Sequence, residues 1–427
     1  MKISIIGSGY VGTVTAACFA ELGHDVICID IDPEKVEMIN RGEPTIYEEG
    51  LEALLKKHAG KRISATSDYD DAVTNTDVSF ICVGTPSDVD GNIDLSIVKA
   101  ASKSLGQAIR KKNDYHVVVV KSTVVPETTE KVVMTHVQET SGKKAGINFG
   151  IAMNPEFLRE GKAVYDFMHP DKIVVGAIDE SSDKVVSSLY AGLECEITHT
   201  NPRTAEMIKY VNNSFLATKI SFSNEIGNIC KQLGIDTYQV MEAVGKDFRI
   251  SPYFLNSGAG FGGSCFPKDV KALIGKAKEL GYQPQLLESV VQVNEMQPLK
   301  MIDFLESRLG KLDGKKIAVL GLAFKNDTDD IRESRSTPVI KTLLEKGAII
   351  SAYDPMAVDN MKKIYPDIEY CDSAIQALES ADGCLVMTEW DEFKMLCSEF
   401  KTMHRSLVID GRNVICCGDI EYVGLCW

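Results

Sequence analysis

One stretch of this sequence reads as chemistry rather than packing: Gly258-Ala259-Gly260-Phe261-Gly262-Gly263-Ser264-Cys265-Phe266-Pro267-Lys268-Asp269. Glycine is entropically costly to order, so four glycines in six positions imply close approach to a ligand or unusual dihedrals. Pro267 suits the first turn of a helix that continues through Val270–Leu280. Cys265 then sits just before a helix N-terminus with Lys268 close by. Helix dipole and ammonium both favour the thiolate, which is the reactive form of a cysteine. Asp269, one turn on, is placed to orient a water or the lysine.

A second candidate opens the chain. Gly7-Ser8-Gly9-Tyr10-Val11-Gly12 follows an expected strand and begins a helix. The first glycine permits a tight turn, the second lets backbone approach a pyrophosphate, and the third allows close helix–strand packing. Asp30 ends the next strand, 23 residues after Gly7, where a carboxylate hydrogen-bonds an adenine ribose. The same carboxylate repels the 2′-phosphate of NADP, and no arginine follows at once, so the cofactor expected is NAD. Val83-Gly84-Thr85-Pro86 and Lys121-Ser122-Thr123 each follow a later strand, at the end of the sheet where ligands collect. Each would equally serve as an ordinary turn.

These segments need a scaffold, and the apolar pattern supplies one. Ile3–Ile6, Val26–Ile29, Val78–Val83 and Val117–Val120 are near-continuous apolar runs, as in strands covered on both faces. Helical stretches such as Thr13–Leu22 and Leu51–His58 alternate with them, which implies a parallel, doubly wound sheet. Strands around Phe149–Met153 and Lys172–Val175 extend it. From Thr204 to Ser307 long helical patterns take over, Thr204–Leu233 and then Leu286–Leu309 interrupted near Pro298. At Lys315 the first pattern returns: Lys315–Leu320 before Gly321, Ala348–Tyr353 before Asp354-Pro355, then Gly383–Met387 and Ser406–Ile409. This copy reads Gly-Leu-Ala-Phe-Lys where the first has the glycine fingerprint. The fold class expected is α/β, with two Rossmann-like doubly wound parallel-sheet domains, residues 1–200 and 311–427. A central helical domain, residues 201–310, joins them, and its long helices make a homodimer interface the default.

Composition excludes several classes. With 44% hydrophobic and 25% charged residues the chain has the balance of a globular protein. It contains no run of eighteen apolar residues, and its opening lacks the features of a signal peptide, so a cytoplasmic location without membrane partners is expected. A net charge of −15 argues against nucleic acid as partner and requires any anionic ligand to be held by local cations or amides. Twelve cysteines without a regular framework are expected to be mostly buried or inert thiols rather than disulfides. Without Cys-x-x-Cys or His-Glu-x-x-His, no metal site is expected.

The segment Phe261–Asp269 resembles the active-site run of the UDP-glucose/GDP-mannose dehydrogenase family. Asn154-Pro155-Glu156-Phe157-Leu158-Arg159-Glu160-Gly161 matches a second family motif. Lys209 with Asn213 matches a third, and Phe324-Lys325 with Arg332-Glu333-Ser334 a fourth, so the resemblance covers essentially the whole chain. It implies four-electron oxidation of the 6-hydroxymethyl group of UDP-glucose to a carboxylate, giving UDP-glucuronate with two NAD used in succession. Cys265 would capture the aldehyde as a thiohemiacetal that is oxidised to a thioester, and Glu156 would activate the water that hydrolyses it. Thr123 and Asp269 would hold the water that relays the first proton. Lys209 and Asn213, spaced i, i+4 on one helix face, would stabilise the alkoxide and later oxyanions.

The cofactor set so implied is Gly7, Gly9, Val11, Gly12, Asp30, Lys35, Thr85, Thr123, Glu160, Lys268 and Arg332. The substrate set adds Phe157, Leu158, Arg159 and the run Phe254, Leu255, Asn256, Ser257 and Gly258, with Gly262, Lys325 and Arg412, to Glu156, Glu160, Lys209 and Asn213. Arg249 resembles a residue that reaches the nucleotide sugar across a dimer interface. Plainer readings compete. A Lys–Asn pair on a long helix also suits a solvated face, two glutamates four apart suit a charged helix surface, and Tyr253 and Phe254 suit either a stacked base or the core. GDP-mannose, a UDP-N-acetylhexosamine, a hydroxy acid oxidised in one step, and a non-catalytic NAD or nucleotide-sugar binder are the alternative functions.

Overall fold

A computed structural model describes residues 1–88 and 91–427. The chain divides into two compact units, Met1–Val211 and Asn212–Trp427.

The first unit is built on eight strands. They are β1 (Lys2–Ile6), β2 (Asp25–Ile29), β3 (Ile63–Thr66), β4 (Val78–Ile81), β5 (His116–Val120), β6 (Phe149–Met153), β7 (Ile173–Ala177) and β8 (Ile197–Thr200). Their apolar continuity has a direct cause, seen on β5. Val117 and Val119 enter one core with Ile3, Ile5, Val26 and Phe80, while Val118 and Val120 enter another with Ile6, Ile81 and Ile151. Neighbouring side chains point to opposite faces, and helices cover both.

The strand order is β3-β2-β1-β4-β5-β6-β7-β8, in which the first six follow the doubly wound dinucleotide-binding order. Pairing is parallel from β3 to β6, but β7 runs antiparallel to β6, with Met153 opposite Gly176. The connection between them carries one helix, Ala163–Met168, of six residues. At 1.5 Å per residue that helix spans only about 9 Å, and β7 runs back beside β6 from the end at which β6 finishes. This is the one departure from the parallel sheet expected of the sequence.

The second unit repeats the winding with β9 (Lys316–Leu320), β10 (Ile349–Tyr353), β11 (Glu369–Tyr370), β12 (Gly383–Val386), β13 (Leu407–Asp410) and β14 (Glu421–Gly424). The order β11-β10-β9-β12-β13-β14 is parallel throughout and matches that of the first six strands. Helices Gln285–Met296 and Lys300–Leu309 flank the break at Pro298, and the second packs Met301, Ile302 and Leu305 into this sheet's core. The helix Pro202–Leu233, 32 residues long, contains the boundary between the units. Among the described residues no helix is long and apolar enough to cross a membrane.

Cysteine usage differs from expectation at one place. Cys397 and Cys417 form a disulfide, their Cα atoms 5.5 Å apart. Spacing along the chain could not reveal it, because the fold brings together positions separated by 20 residues. Among the described residues the exposed free thiols are Cys265 and Cys416.

Candidate active site

The turn between β1 and the helix Tyr10–Glu21 has the shape of an anion cradle. Gly7 takes φ +93°, and a Cβ on Gly12 would overlap the Gly7 carbonyl, so the helix can lie against the strand only as glycine. In front of Gly9 the space is open, with no atom within 4 Å of where a Cβ would stand. No side chain caps this helix, which leaves its first amides free to face a phosphate. Asp30 follows β2 directly; its Oδ2 accepts from the Ser8 amide at 2.7 Å and its Oδ1 from the Asp32 amide at 3.0 Å. Val11, Lys35, Thr85 and Thr123 are half-buried, Lys35 in the first turn of Pro33–Arg41 and the two threonines beyond β4 and β5. These residues fit a dinucleotide.

The second unit holds the same device in closed form. Gly7 donates to Ile29 O, and Gly321 donates to Tyr353 O, both at 2.8 Å. Asp354 stands where Asp30 does, but it is buried and accepts from Leu322 N at 2.7 Å, Ala323 N at 3.0 Å and the Trp390 indole at 3.0 Å. The tryptophan occupies the acid that a ribose would need.

Beyond β6, the segment carrying Glu156 and Glu160 is not helical, so the charged-helix reading fails. Glu156 is buried, and its Oε1 accepts from Lys209 Nζ at 2.8 Å and its Oε2 from Leu158 N at 2.6 Å. Burial works against its charge, but the Lys209 ammonium, by charge and by hydrogen bond, holds the carboxyl below its ordinary range. Lys209 also lies 5.4 Å from the centre of the Phe157 ring, so it is no solvated side chain. Leu158 and Glu160 are half-buried, whereas Arg159 is exposed and paired with Asp166 at 2.6 Å.

Two residues outside the candidate site set shape this loop: Glu48, which no motif contains, and Lys121, which the sequence offers only as part of Lys121-Ser122-Thr123. Glu48 is buried and accepts from Gly161 N and Ala163 N, each at 2.8 Å, and from the Tyr10 hydroxyl, tying the motif to the fingerprint helix. Lys121 is buried and donates to Asn154 Oδ1 at 3.0 Å, linking the ends of β5 and β6; burial pulls its ammonium down to about 8.

In the second unit Cys265 occupies the N-terminus of the helix Phe266–Glu279, with Pro267 in the first turn and the Cys265 carbonyl accepting from Asp269 N at 2.9 Å. Its Sγ lies 3.6 Å from Ser264 Oγ. Asp269 is buried and takes Lys268 Nζ on Oδ1 and Asn213 Nδ2 on Oδ2, both at 2.6 Å. Asp269 thus holds the lysine expected of it and, in addition, Asn213.

The glycine run is laced to the second sheet's loops. Gly263 donates to Arg332 O at 2.9 Å and takes φ +84°, and a Cβ on Gly262 would strike the Glu333 carbonyl. The run here lies close to protein backbone, and Gly263 has one of the unusual dihedrals expected of it. Gly258 N donates to Asn224 Oδ1 and Ser257 Oγ to Ser223 O, each at 2.7 Å, which fixes the segment leading in from Phe254, Leu255 and Asn256. Tyr253 and Phe254 are both exposed, so neither is core. Arg412, after β13, donates to Met387 O at 2.8 Å and to Gly260 O at 3.1 Å, and Lys325 lies 5.4 Å from the Phe324 ring centre. Arg332 and Arg249 are exposed and paired with Asp330 and Asp247 respectively, each at 2.6 Å.

A doubly wound unit with an open glycine turn and an acid after β2, followed by an exposed cysteine heading a helix, defines an NAD-dependent dehydrogenase. Three family descriptions match in order: the NAD binding domain of the UDP-glucose/GDP-mannose dehydrogenase family at residues 1–194, its central domain at 203–296, and its UDP binding domain at 318–416. The chain belongs to the UDP-glucose/GDP-mannose dehydrogenase family. It is 51% identical to the UDP-glucose 6-dehydrogenase AglM of Haloferax volcanii over 420 residues, 97% of each chain. It is 40% identical to the GDP-mannose 6-dehydrogenase of Pseudomonas aeruginosa over 395 residues, 92% of this chain and 88% of that one. A UDP-glucose dehydrogenase structure from Pyrobaculum islandicum superposes with a TM-score of 0.94 at 43% identity, covering 100% of this chain and 98% of the other.

Proposed function

We propose that this chain oxidises UDP-glucose to UDP-glucuronate in two NAD-dependent steps, with Cys265 as covalent nucleophile. The observation that carries this reading is the setting of Cys265, an exposed thiol at a helix N-terminus, one turn from a buried Asp269 held by Lys268 and Asn213. Residues 1–200 hold the dinucleotide, 311–427 hold the substrate's nucleotide, and 201–310 join them.

When bound, NAD supplies the hydride acceptor. In the first step the 6-hydroxyl loses its proton to a water held by Thr123 and Asp269, and the carbon becomes an aldehyde. The Cys265 thiolate then adds to that carbon, and the new alkoxide takes a proton, giving a thiohemiacetal. Lys209 and Asn213 donate hydrogen bonds to the oxygen wherever negative charge develops. The second oxidation leaves a thioester. Water activated by Glu156 adds to it, the C–S bond breaks, and Cys265 returns as the thiol. The net change is one alcohol, one water and two NAD converted to one carboxylate, two NADH and three protons. Glu160, Arg332 and Lys268 contact cofactor, while Phe254–Gly258, Lys325 and Arg412 hold the nucleotide sugar.

A homodimer is part of the proposal. Phe215, Phe222, Ile229 and Leu233 recur along one side of the long helix at 63%, 52%, 50% and 67% exposure, an apolar stripe of the kind that self-association covers. Arg249 would then serve the partner's substrate.

The deciding experiment is the yield of NADH per UDP-glucose, expected to be two; a yield of one removes the thioester route. GDP-mannose is the second reading, favoured by the 40% identity to the Pseudomonas aeruginosa enzyme. Initial rates with both nucleotide sugars separate them.

A further inference from the structure

Three residues before Lys209, the long helix carries a buried acid that the chemistry above does not use. Glu206 is sealed from solvent, and backbone engages both of its oxygens: Oε2 accepts from Glu127 N and Oε1 from Thr129 N, each at 2.7 Å. Thr129 begins a π-helical stretch, Thr129–Met134, so the acid satisfies amides that a helix start leaves unpaired. Glu127 takes φ +83°, a left-handed conformation that persists in a non-glycine residue only when its surroundings impose it.

The chain entering this clamp is the one that carries Thr123. On its other side, Ser122 Oγ donates to Val83 O at 2.6 Å and to Ile81 O at 3.2 Å. Thr123 is therefore stretched between two anchors, one at the end of β4 and one on the long helix. Positions i and i+3 share a helix face, so one face holds the Thr123 segment through Glu206 and the Glu156 loop through Lys209.

We propose that Glu206 is a positioning residue for the first oxidation: its clamp on the Glu127 and Thr129 amides fixes the segment that sets the Thr123 hydroxyl. The inference rests on the assignment of Thr123 to the first proton transfer. Burial pushes the Glu206 carboxyl up to about 7, so near neutrality the closed segment takes up a proton that an opened one does not. The charged groups around it are Glu127 and Glu130, with Arg203 from its own helix paired to both and Lys131 paired to Glu127.

The test compares oxidation of the nucleotide-sugar alcohol with oxidation of its 6-aldehyde, which needs no proton from the original hydroxyl. Glu206→Gln keeps one acceptor and loses the other. It should lower kcat on the alcohol about tenfold or more and leave kcat for aldehyde oxidation within about twofold. Thr123→Ala serves as the reference. If Thr123→Ala slows both substrates alike, the assignment of Thr123 fails and this inference with it. If Thr123→Ala is selective and Glu206→Gln is not, the inference alone fails. Should Glu206→Gln not fold, hydrogen exchange in the wild-type enzyme decides. Protection of residues 124–134, corrected for intrinsic rate, should rise as pH is lowered from about 8 to about 6 while β5 is unchanged, because the closed segment holds the proton more tightly than the opened one. Protection independent of pH would overturn the clamp.

Discussion

Lys209 Nζ lies 2.8 Å from Glu156 Oε1, and the two side chains keep only 4% and 7% of their exposure. The pair joins the long helix to the loop beyond β6 and holds the residue proposed to activate water in its ionised form.

Because both charges are buried, removing one should be costly. Lys209→Met is expected to lose about 3–5 kcal/mol of stability at neutral pH by stranding the Glu156 carboxylate. In the wild type the Glu156 carboxyl lies below its unfolded value, so its contribution is complete above the ordinary carboxylate range and lost only as pH falls through the depressed value. In the variant the sign reverses, since burial without Lys209 raises the carboxyl and the cost grows as pH rises. Urea midpoints of both proteins should converge as pH is lowered from 7 toward 5. A constant difference would show that Glu156 does not titrate in response.

Cys265→Ala should abolish carboxylate formation, lowering UDP-glucuronate production roughly a thousandfold or more, while NAD binding survives. Product analysis and cofactor titration on the same sample check both halves. Undiminished acid production would rule out a covalent intermediate on this sulfur.

Asp30 organises its own turn through the Ser8 amide and faces the open cradle. Asp30→Asn should reduce kcat/KM for NAD about tenfold, the scale of one hydrogen bond to a charged group, and should narrow the preference over NADP. Steady-state kinetics with the two dinucleotides measures it, and an unchanged ratio would place the ribose elsewhere.

The stripe on the long helix makes a separate prediction. Phe222→Asp puts a charge among Phe215, Ile229 and Leu233 and should halve the mass seen in sedimentation equilibrium. An unchanged mass would exclude this face as the contact.

Much of the fold was legible because strand and helix periods are local. Runs such as Val117–Val120 mark a strand buried on both faces whatever lies beside it, and glycine spacing at 7, 9 and 12 encodes a turn whose sterics involve only near neighbours. Cys265 at the head of a helix is local too, since Pro267 and the apolar pattern after it define the helix start.

Tertiary structure decided what depends on partners distant in sequence. Glu156 and Glu160 read equally well as a charged helix face until burial and Lys209, 53 residues on, made Glu156 half of a sealed pair. That Asp269 bonds Asn213, 56 residues before it, as well as Lys268 shows only once the fold is formed. The glycines before Cys265 suggested a ligand or unusual dihedrals, and the fold adds that the loops of Arg332 and Glu333 pack against them. The physical reason is common to all three cases. Residue type limits which hydrogen bonds a group can make, but the burial that makes those bonds obligatory, and the partner that satisfies them, exist only once distant segments are packed together.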